Sequence, residues 1–138
     1  MGKVIRALVG IPAAVVLIAV GATTVASAAE GKPSGAPPEG ELGVWCVSTT
    51  GAKACFKEYG DKVWVKDTKA NGEDAAGTIY DTESSMDWYR ACYNSRGADG
   101  GWVMCDFDVP ENSSGLLWAV NNPFVGSQAS TKIWTTLI

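Results

Sequence analysis

The chain has 138 residues, with 11 basic and 15 acidic side chains and no histidine. Its net charge of −4, without a basic cluster, argues against nucleic acid and anionic membrane surfaces as binding partners. The lack of imidazole groups excludes Ser-His and Cys-His nucleophilic pairs and the zinc sites that contain histidine.

Residues 1–28 show the order of segments found in a secretory signal peptide. Two basic residues, Lys3 and Arg6, stand at the start. An uncharged apolar stretch covers 7–22, and the small residues Ala-Ser-Ala at 26–28 form a cleavage site. Cleavage there leaves 110 residues, which is the length of one domain. The leader therefore predicts a secreted, extracellular protein.

A retained membrane anchor is the alternative interpretation of this leader. The uncharged stretch 7–29 has 23 residues, and a transmembrane helix needs about 20. Pro12 and Gly21 interrupt the stretch and its last third is only weakly apolar, so we favour cleavage. Without Lys3 and Arg6, nine basic residues remain against 15 acidic ones, which gives the mature chain a net charge of −6.

Residues 29–43 differ in composition from everything that follows them. The segment is rich in proline and glycine and has almost nothing apolar to bury. Such a composition predicts a disordered spacer. We place the folded domain at 44–138.

From residue 44 onward, short alternating runs are separated by turn residues, which predicts strands rather than helices. The predicted strands cover 44–48, 54–57, 62–67, 77–81, 88–94, 102–108, 116–121 and 132–137. Seven or eight short antiparallel strands fit a small all-β domain, an immunoglobulin-like β-sandwich.

The chain has four cysteines: Cys46, Cys55, Cys92 and Cys105. An even number in an exported protein predicts two disulfides, for which three connectivities are possible. We favour the two local pairs, because turn-rich stretches at 49–52 and 96–101 lie inside them. A metal site of four thiolates is disfavoured, since no pair has the C-x₂₋₄-C spacing of such sites.

The second local pair predicts a hairpin between 88–94 and 102–108. With Cys92 opposite Cys105, four side chains share the outer face of this hairpin: Tyr89, Tyr93, Trp102 and Met104. The disulfide fixes the register, because a slip of one residue would exchange the two faces.

Exposed aromatic side chains are the main candidates for a binding site. Trp64 stands between Lys62 and Lys66 on its face of the strand, while the intervening valines point inward. Together with Tyr89, Tyr93 and Trp102 it offers flat rings on which sugars stack. We predict a non-catalytic, monomeric binding protein for cell-wall or environmental polysaccharide, without a cofactor or metal. The competing interpretation is that these rings pack in the core.

A protein partner is the alternative function. The loop 96–101 contains Arg96 and Asp99, and the predicted disulfide Cys92–Cys105 closes its base. A loop held rigid in this way loses less conformational entropy on binding. It is therefore a candidate contact for a secreted hydrolase, which the protein would inhibit or otherwise bind.

Two groups of acidic residues are candidates for chemical sites. The loop with Asp67, Asn71, Glu73 and Asp74 offers the oxygen ligands that Ca²⁺ prefers, but its spacing does not match an EF-hand. A second group contains Asp106, Asp108 and Glu111. Paired carboxylates hydrolyse glycosides only when they face each other across a cleft, which nothing in this spacing indicates, so we do not expect an enzyme.

The segment 54–72 (ACFKEYGDKVWVKDTKANG) is followed by Cys92-Tyr93-Asn94-Ser95, Trp102, Cys105 and Pro110-Glu111. In these motifs the chain resembles small secreted proteins common in actinobacteria, notably streptomycetes. The resemblance covers residues 54–112, and Asn71 stands where an aspartate is usual. It implies export and a β-sandwich, and it implies no catalytic residue.

Overall fold

The structure, a computed structural model, describes residues 26–82, 88–122 and 126–135. Residues 1–25, which make up most of the predicted leader, lie outside the described residues. The strands are β1 (Ala26–Glu30), β2 (Lys32–Pro33), β3 (Val44–Thr49), β4 (Ala52–Lys57), β5 (Lys62–Asp67), β6 (Ala75–Asp81), β7 (Tyr89–Asn94), β8 (Trp102–Asp106), β9 (Ser114–Asn121) and β10 (Gln128–Trp134). A short 3₁₀ turn covers Ala98–Gly100.

Two five-stranded sheets pack face to face as a β-sandwich. Sheet A has the strand order β1-β7-β6-β9-β10, and sheet B has the order β2-β8-β5-β4-β3. The prediction of an all-β sandwich with two disulfides is confirmed. Each of the eight predicted strands corresponds to one of β3 to β10. The last begins at Gln128 rather than at residue 132, because this edge strand is mostly polar and shows little hydrophobic alternation.

Both predicted cysteine pairs are confirmed, but the predicted hairpin is wrong. β7 pairs with β1 and β6 in sheet A, whereas β8 pairs with β2 and β5 in sheet B. The disulfide Cys92–Cys105 therefore joins the two sheets, and Cys46–Cys55 joins neighbouring strands of sheet B. The loop after Asn94 crosses between the sheets, which lets the apolar face of each strand point into one shared core.

The core lies between the sheets and is built from alternate residues of each strand. Its largest fully buried side chains include Trp88, Phe56, Ile79 and Leu117. At Gly77 on β6, a Cβ would lie 2.8 Å from a methyl group of Val65 in the opposite sheet. The missing side chain thus allows the sheets to approach each other where their central strands cross.

The segment expected to be a disordered spacer is instead part of the fold. β1 pairs in parallel with β7, and β2 pairs antiparallel with β8, so the chain adds one edge strand to each sheet. Between them, Gly31 is buried where the chain crosses from one sheet to the other, and a Cβ there would overlap Val103. Composition does not reveal this arrangement, because edge pairing uses backbone groups rather than apolar side chains.

Residues 34–43, which we call the strap, cross the outer face of sheet B between β2 and β3. These two strands lie at opposite edges of the sheet, so the connection has to traverse it. Midway, the Glu39 carboxylate forms an ion pair with Lys53 and lies 3.6 Å from the sulfur of Cys55. Further along, Glu41 pairs with Lys57 at 3.8 Å. Pro37 within the strap is buried.

Candidate functional site

Trp64 points to the outer face of sheet B, as its alternation predicts, but it is not available to a ligand. Its neighbours across the sheet are Cys55 and Met104. The strap lies over this face, and only 8% of the Trp64 side chain is exposed. Trp64 is less exposed than predicted because the strap, whose sequence has no strand or helix pattern, lies over this face.

The remaining predicted rings divide between opposite sides of the sandwich. Tyr89 and Tyr93 lie on the outer face of sheet A, and Trp102 lies on the outer face of sheet B, with the Lys66 ammonium 6.0 Å above its ring. The structure therefore brings together only the two tyrosines. One flat surface formed by all four predicted residues is impossible once β7 and β8 belong to different sheets.

Five half-buried side chains form what we call the aromatic face of sheet A: Tyr80, Tyr89, Tyr93, Leu116 and Trp118. The register places Tyr80 beside both Tyr89 and Leu116. The rings of Tyr80 and Trp118 have centroids 6.0 Å apart and planes inclined by 37°. Ala76 and Ala91 form a buried floor between them. In the described part of the chain, no segment is tied across this face as the strap is tied across sheet B.

Sequence reasoning missed Tyr80 and Trp118, although a signal for both was present. Residues 75–81 and 114–121 alternate between small or aliphatic core residues and larger side chains. To place Tyr80 and Trp118 on the same face as Tyr89, one must know which strands lie next to β7. The sequence does not show this strand order. Burial, together with nearby Tyr93, raises the pKa of Tyr89 further above its usual value, so this hydroxyl stays protonated at neutral pH.

The aromatic face continues into a cleft at the end of the sandwich, which we call the end cleft. Its volume is about 540 Å³, and Leu116 belongs to both the face and the cleft. Trp45 and Trp134 line it, together with the single charged group of its described lining, Lys132. The Trp134 side chain is 48% exposed, so a large ring stands open to solvent here.

A second, polar cleft lies between the acidic loop 67–74 and the loop 96–101, which the sequence analysis treated as separate candidates. It has a volume of about 490 Å³ and is lined by residues of both loops, including Glu73, Asp74, Arg96 and Asp99. The loop 96–101 is braced from below by Asn94, whose amide donates to the carbonyls of Val65 (3.1 Å) and Gly101 (3.0 Å). The predicted partner loop is therefore rigid at its base.

The carboxylates of the acidic loop do not converge on a metal position. Among the residues that the structure describes, the one group of cysteine and acidic ligand atoms within 4.8 Å of one another is Glu39, Cys46 and Cys55. Both cysteines belong to a disulfide and offer no thiolate. This group is therefore part of the contact between the strap and sheet B.

Asp61 is a buried acidic side chain with a shifted pKa. It is 7% exposed, and its Oδ2 accepts a hydrogen bond from the backbone N–H of Val109 at 3.2 Å. Its Oδ1 is buried without a hydrogen-bond partner. Burial raises the pKa of this carboxyl, and nearby Glu111 and Asp108 add to the effect. Because both oxygens are shielded, the group supports the fold rather than offering an acid to a substrate.

We expect Asp61→Asn to increase the free energy of unfolding at neutral pH by about 1 kcal/mol. The amide oxygen accepts from Val109 as the carboxylate does, and the buried charge is lost. Asparagine also tolerates the left-handed backbone at this position, where φ is 52°. Urea unfolding of the two proteins at pH 7 measures the difference.

The pH dependence of the unfolding free energy tests the effect of Asp61→Asn independently. A raised folded-state pKa favours folding at acid pH, and this contribution is lost as the pH rises through the folded pKa. The advantage of Asp61→Asn should thus disappear as the pH falls below about 4. Asp61→Ala is the matched control and should destabilise the protein, because it leaves the Val109 N–H unpaired. An advantage that persists at pH 3 would contradict the assignment.

No known protein family, characterised protein or solved structure matches the chain. Within the described residues, no helix is long and apolar enough to cross a membrane. Function therefore has to be argued from the two clefts and the aromatic face themselves.

Proposed function

We propose that this is an exported, non-catalytic binding protein whose aromatic face and end cleft bind an extracellular polysaccharide. The observation that carries the proposal is the group of half-buried aromatic side chains on one face of sheet A, near the open ring of Trp134. Two disulfides support a location outside the reducing cytoplasm. The resemblance of 54–112 to secreted actinobacterial proteins supports export in the same way.

The spacing on the aromatic face suits a chain of sugar rings. Tyr89 and Tyr93 are four residues apart on one strand, which separates them by about 13 Å. Tyr80 lies beside Tyr89 on the neighbouring strand, so the rings are distributed both along and across the sheet. An aromatic ring offers a flat apolar surface and, in tyrosine, a hydroxyl at its tip, which together match the amphipathic faces of a sugar.

Charge on this surface favours a neutral ligand. The aromatic face itself consists of uncharged side chains, and Glu30 and Lys132 stand at opposite edges of the sheet beside it. On the aromatic face a neutral glycan would meet no desolvated charge on binding, whereas a highly charged polymer would find no complementary cluster. We therefore place neutral polysaccharides first among the candidate ligands.

The test compares aromatic residues on the two outer faces of the sandwich. The secreted protein is sedimented with insoluble glycans, and its dissociation constant is measured for each glycan that retains it. We expect the double variant Tyr89→Ala/Tyr93→Ala to bind about 30-fold more weakly, if each ring contributes about 1 kcal/mol. Trp102→Ala is the matched control, because it removes a half-buried ring from sheet B.

Two outcomes would overturn the proposal. One is glycan binding that survives in the double variant while circular dichroism shows both proteins folded. The other is an equal loss in Trp102→Ala, which would indicate a general effect on the fold. Tyr89→Phe separates stacking from hydrogen bonding, since it keeps the ring and removes only the hydroxyl.

A secreted protein partner is the second candidate, and the bracing of the loop 96–101 favours it. Asn94 also accepts a hydrogen bond from the Arg96 N–H at 3.1 Å, so the exposed side chains of Arg96 and Asp99 project from a fixed base. If the protein inhibits a secreted hydrolase through this loop, the double variant Arg96→Ala/Asp99→Ala should lose inhibition and keep glycan binding. Unchanged inhibition in that variant would exclude this loop as the contact.

A further inference from the structure

Strand β1 contains the predicted cleavage site of the leader. The register pairs Ala26 with Tyr89, Ala28 with Ala91 and Glu30 with Tyr93, all in parallel orientation. The bond between Ala28 and Ala29, at which we expect cleavage, therefore lies in the middle of an edge strand. Cleavage of this bond divides β1 into two parts, which differ in the contacts that attach them to the rest of the fold.

The part after the cleavage site is fixed by contacts beyond the strand ladder. The Glu30 carboxylate accepts hydrogen bonds from the Ser95 backbone N–H (3.1 Å) and hydroxyl. The Gly31 N–H donates to the Tyr93 carbonyl at 2.8 Å, after which the chain enters sheet B. The Ala29 carbonyl lies 3.7 Å from the sulfur of Cys105. Cleavage would leave this part in place.

The part before the cleavage site is held by its ladder with β7. After cleavage only three described residues of the leader, Ala26–Ala28, would pair with β7, and so short a strand does not remain bound on backbone pairing alone. Its departure uncovers backbone groups of Tyr89 and Ala91, because Arg90 between them turns its N–H and C=O toward β6. Such an unpaired edge is a template for another extended chain.

We propose that leader removal opens a docking edge on β7, along Tyr89–Ala91, for an extended segment of another protein with small side chains. The segment would run parallel to β7 and add a strand to sheet A. We infer small side chains for this segment because Ala-Ser-Ala occupies the position in this structure. Ser27 pairs with Arg90, and both side chains are half-buried on the side that faces the core.

The inference rests on the predicted cleavage and is independent of glycan binding. Arg90 keeps its own partner in either state, because its guanidinium donates to the Asp108 carbonyl at 2.7 Å. The rim of the docking edge is formed by Tyr89, whose ring belongs to the aromatic face. A peptide at this edge would thus lie next to the glycan surface without covering its centre at Trp118.

The experiment uses the protein secreted into the medium, and intact mass identifies its first residue. The probe is a synthetic peptide with the sequence of residues 22–28, Ala-Thr-Thr-Val-Ala-Ser-Ala. We expect peptide in the millimolar range to slow hydrogen exchange at the amides of Tyr89 and Ala91 and to leave those of β9 unchanged. The same peptide with Ser27→Pro is the matched control, since proline removes an N–H and disfavours strand pairing.

Each other outcome contradicts the proposal. A secreted protein that begins at or before Ala26 keeps the edge filled by its own chain. Equal protection by the proline peptide would show contact without strand addition. Slow exchange at Tyr89 and Ala91 in a dimer without peptide would assign the edge to a second copy. Glycan sedimentation of the same sample reports separately on the proposed function, so the two can fail independently.

Discussion

Replacing Cys92 and Cys105 by alanine should lower the free energy of unfolding by about 4 kcal/mol, more than replacing Cys46 and Cys55. Both disulfides close short loops, with sequence separations of 13 and 9 residues, so chain entropy predicts a similar loss of about 3 kcal/mol for each. The difference comes from the folded state. Cys92 and Cys105 are 0% and 5% exposed, so alanine there leaves a cavity between the sheets.

Urea unfolding of the two double variants at equal protein concentration provides the measurement. Cys55 is also 0% exposed, but Cys46 is half-buried on the edge strand β3, so alanine at this pair leaves less empty volume. The slope of the unfolding free energy against urea should stay the same in both variants, which shows that the denatured states are comparable. Equal destabilisation by the two pairs, or a larger loss for Cys46 and Cys55, would contradict the inter-sheet role of Cys92–Cys105.

The strands were predictable because their signal is local. Alternation in Lys62–Asp67 gives the inner valines and the outer Trp64 directly, since the period of a strand is two residues. The cysteine pairs followed from turn chemistry within each loop. The sequence did not predict which sheet each strand joins. A compact loop such as 95–101 can connect two strands of a hairpin or two strands of different sheets.

The site was only partly predictable for the same reason. Tyr89 and Tyr93 share a strand, so their common face follows from alternation. Tyr80 and Trp118 reach that face through strand order in sheet A, which depends on contacts distant in sequence. Trp64 shows the opposite case, in which the direction of the side chain was right and its exposure was not. A ring's direction is a property of its strand, whereas its exposure depends on whatever lies above.

The two outer faces of the sandwich therefore differ in a way that bears on function. Sheet B carries the lysines Lys53 and Lys57 on its outer face, and the strap supplies Glu39 and Glu41 as their partners. The aromatic face of sheet A has uncharged side chains and no such cover in the described part of the chain. One face is thus crossed by the strap, and the other carries the proposed binding surface.

Replacing residues 35–42 of the strap by a Gly/Ser linker of equal length should lower the free energy of unfolding by about 3 kcal/mol. The estimate corresponds to roughly 120 Å² of apolar surface on and around Trp64 returned to water at about 25 cal/mol per Å². A disordered spacer would be replaced without effect. Retaining Ser34 and Gly43 keeps the backbone hydrogen bonds at both ends, from Ser34 to Trp102 and from Glu58 to Gly43.

Fluorescence quenching by acrylamide locates the change at Trp64. The linker variant should show one additional accessible tryptophan, and this increase should vanish when Trp64→Phe is introduced into both proteins. Glu39→Gln is the matched control for charge, and it should cost at most about 1 kcal/mol because its ion pair with Lys53 is partly exposed. If the charge variant alone reproduced the full loss, the strap would act through its ion pairs. The quenching result tests the burial of Trp64 separately. If the strap covers the ring by apolar contact, Trp64 becomes accessible in the linker variant and stays protected in Glu39→Gln.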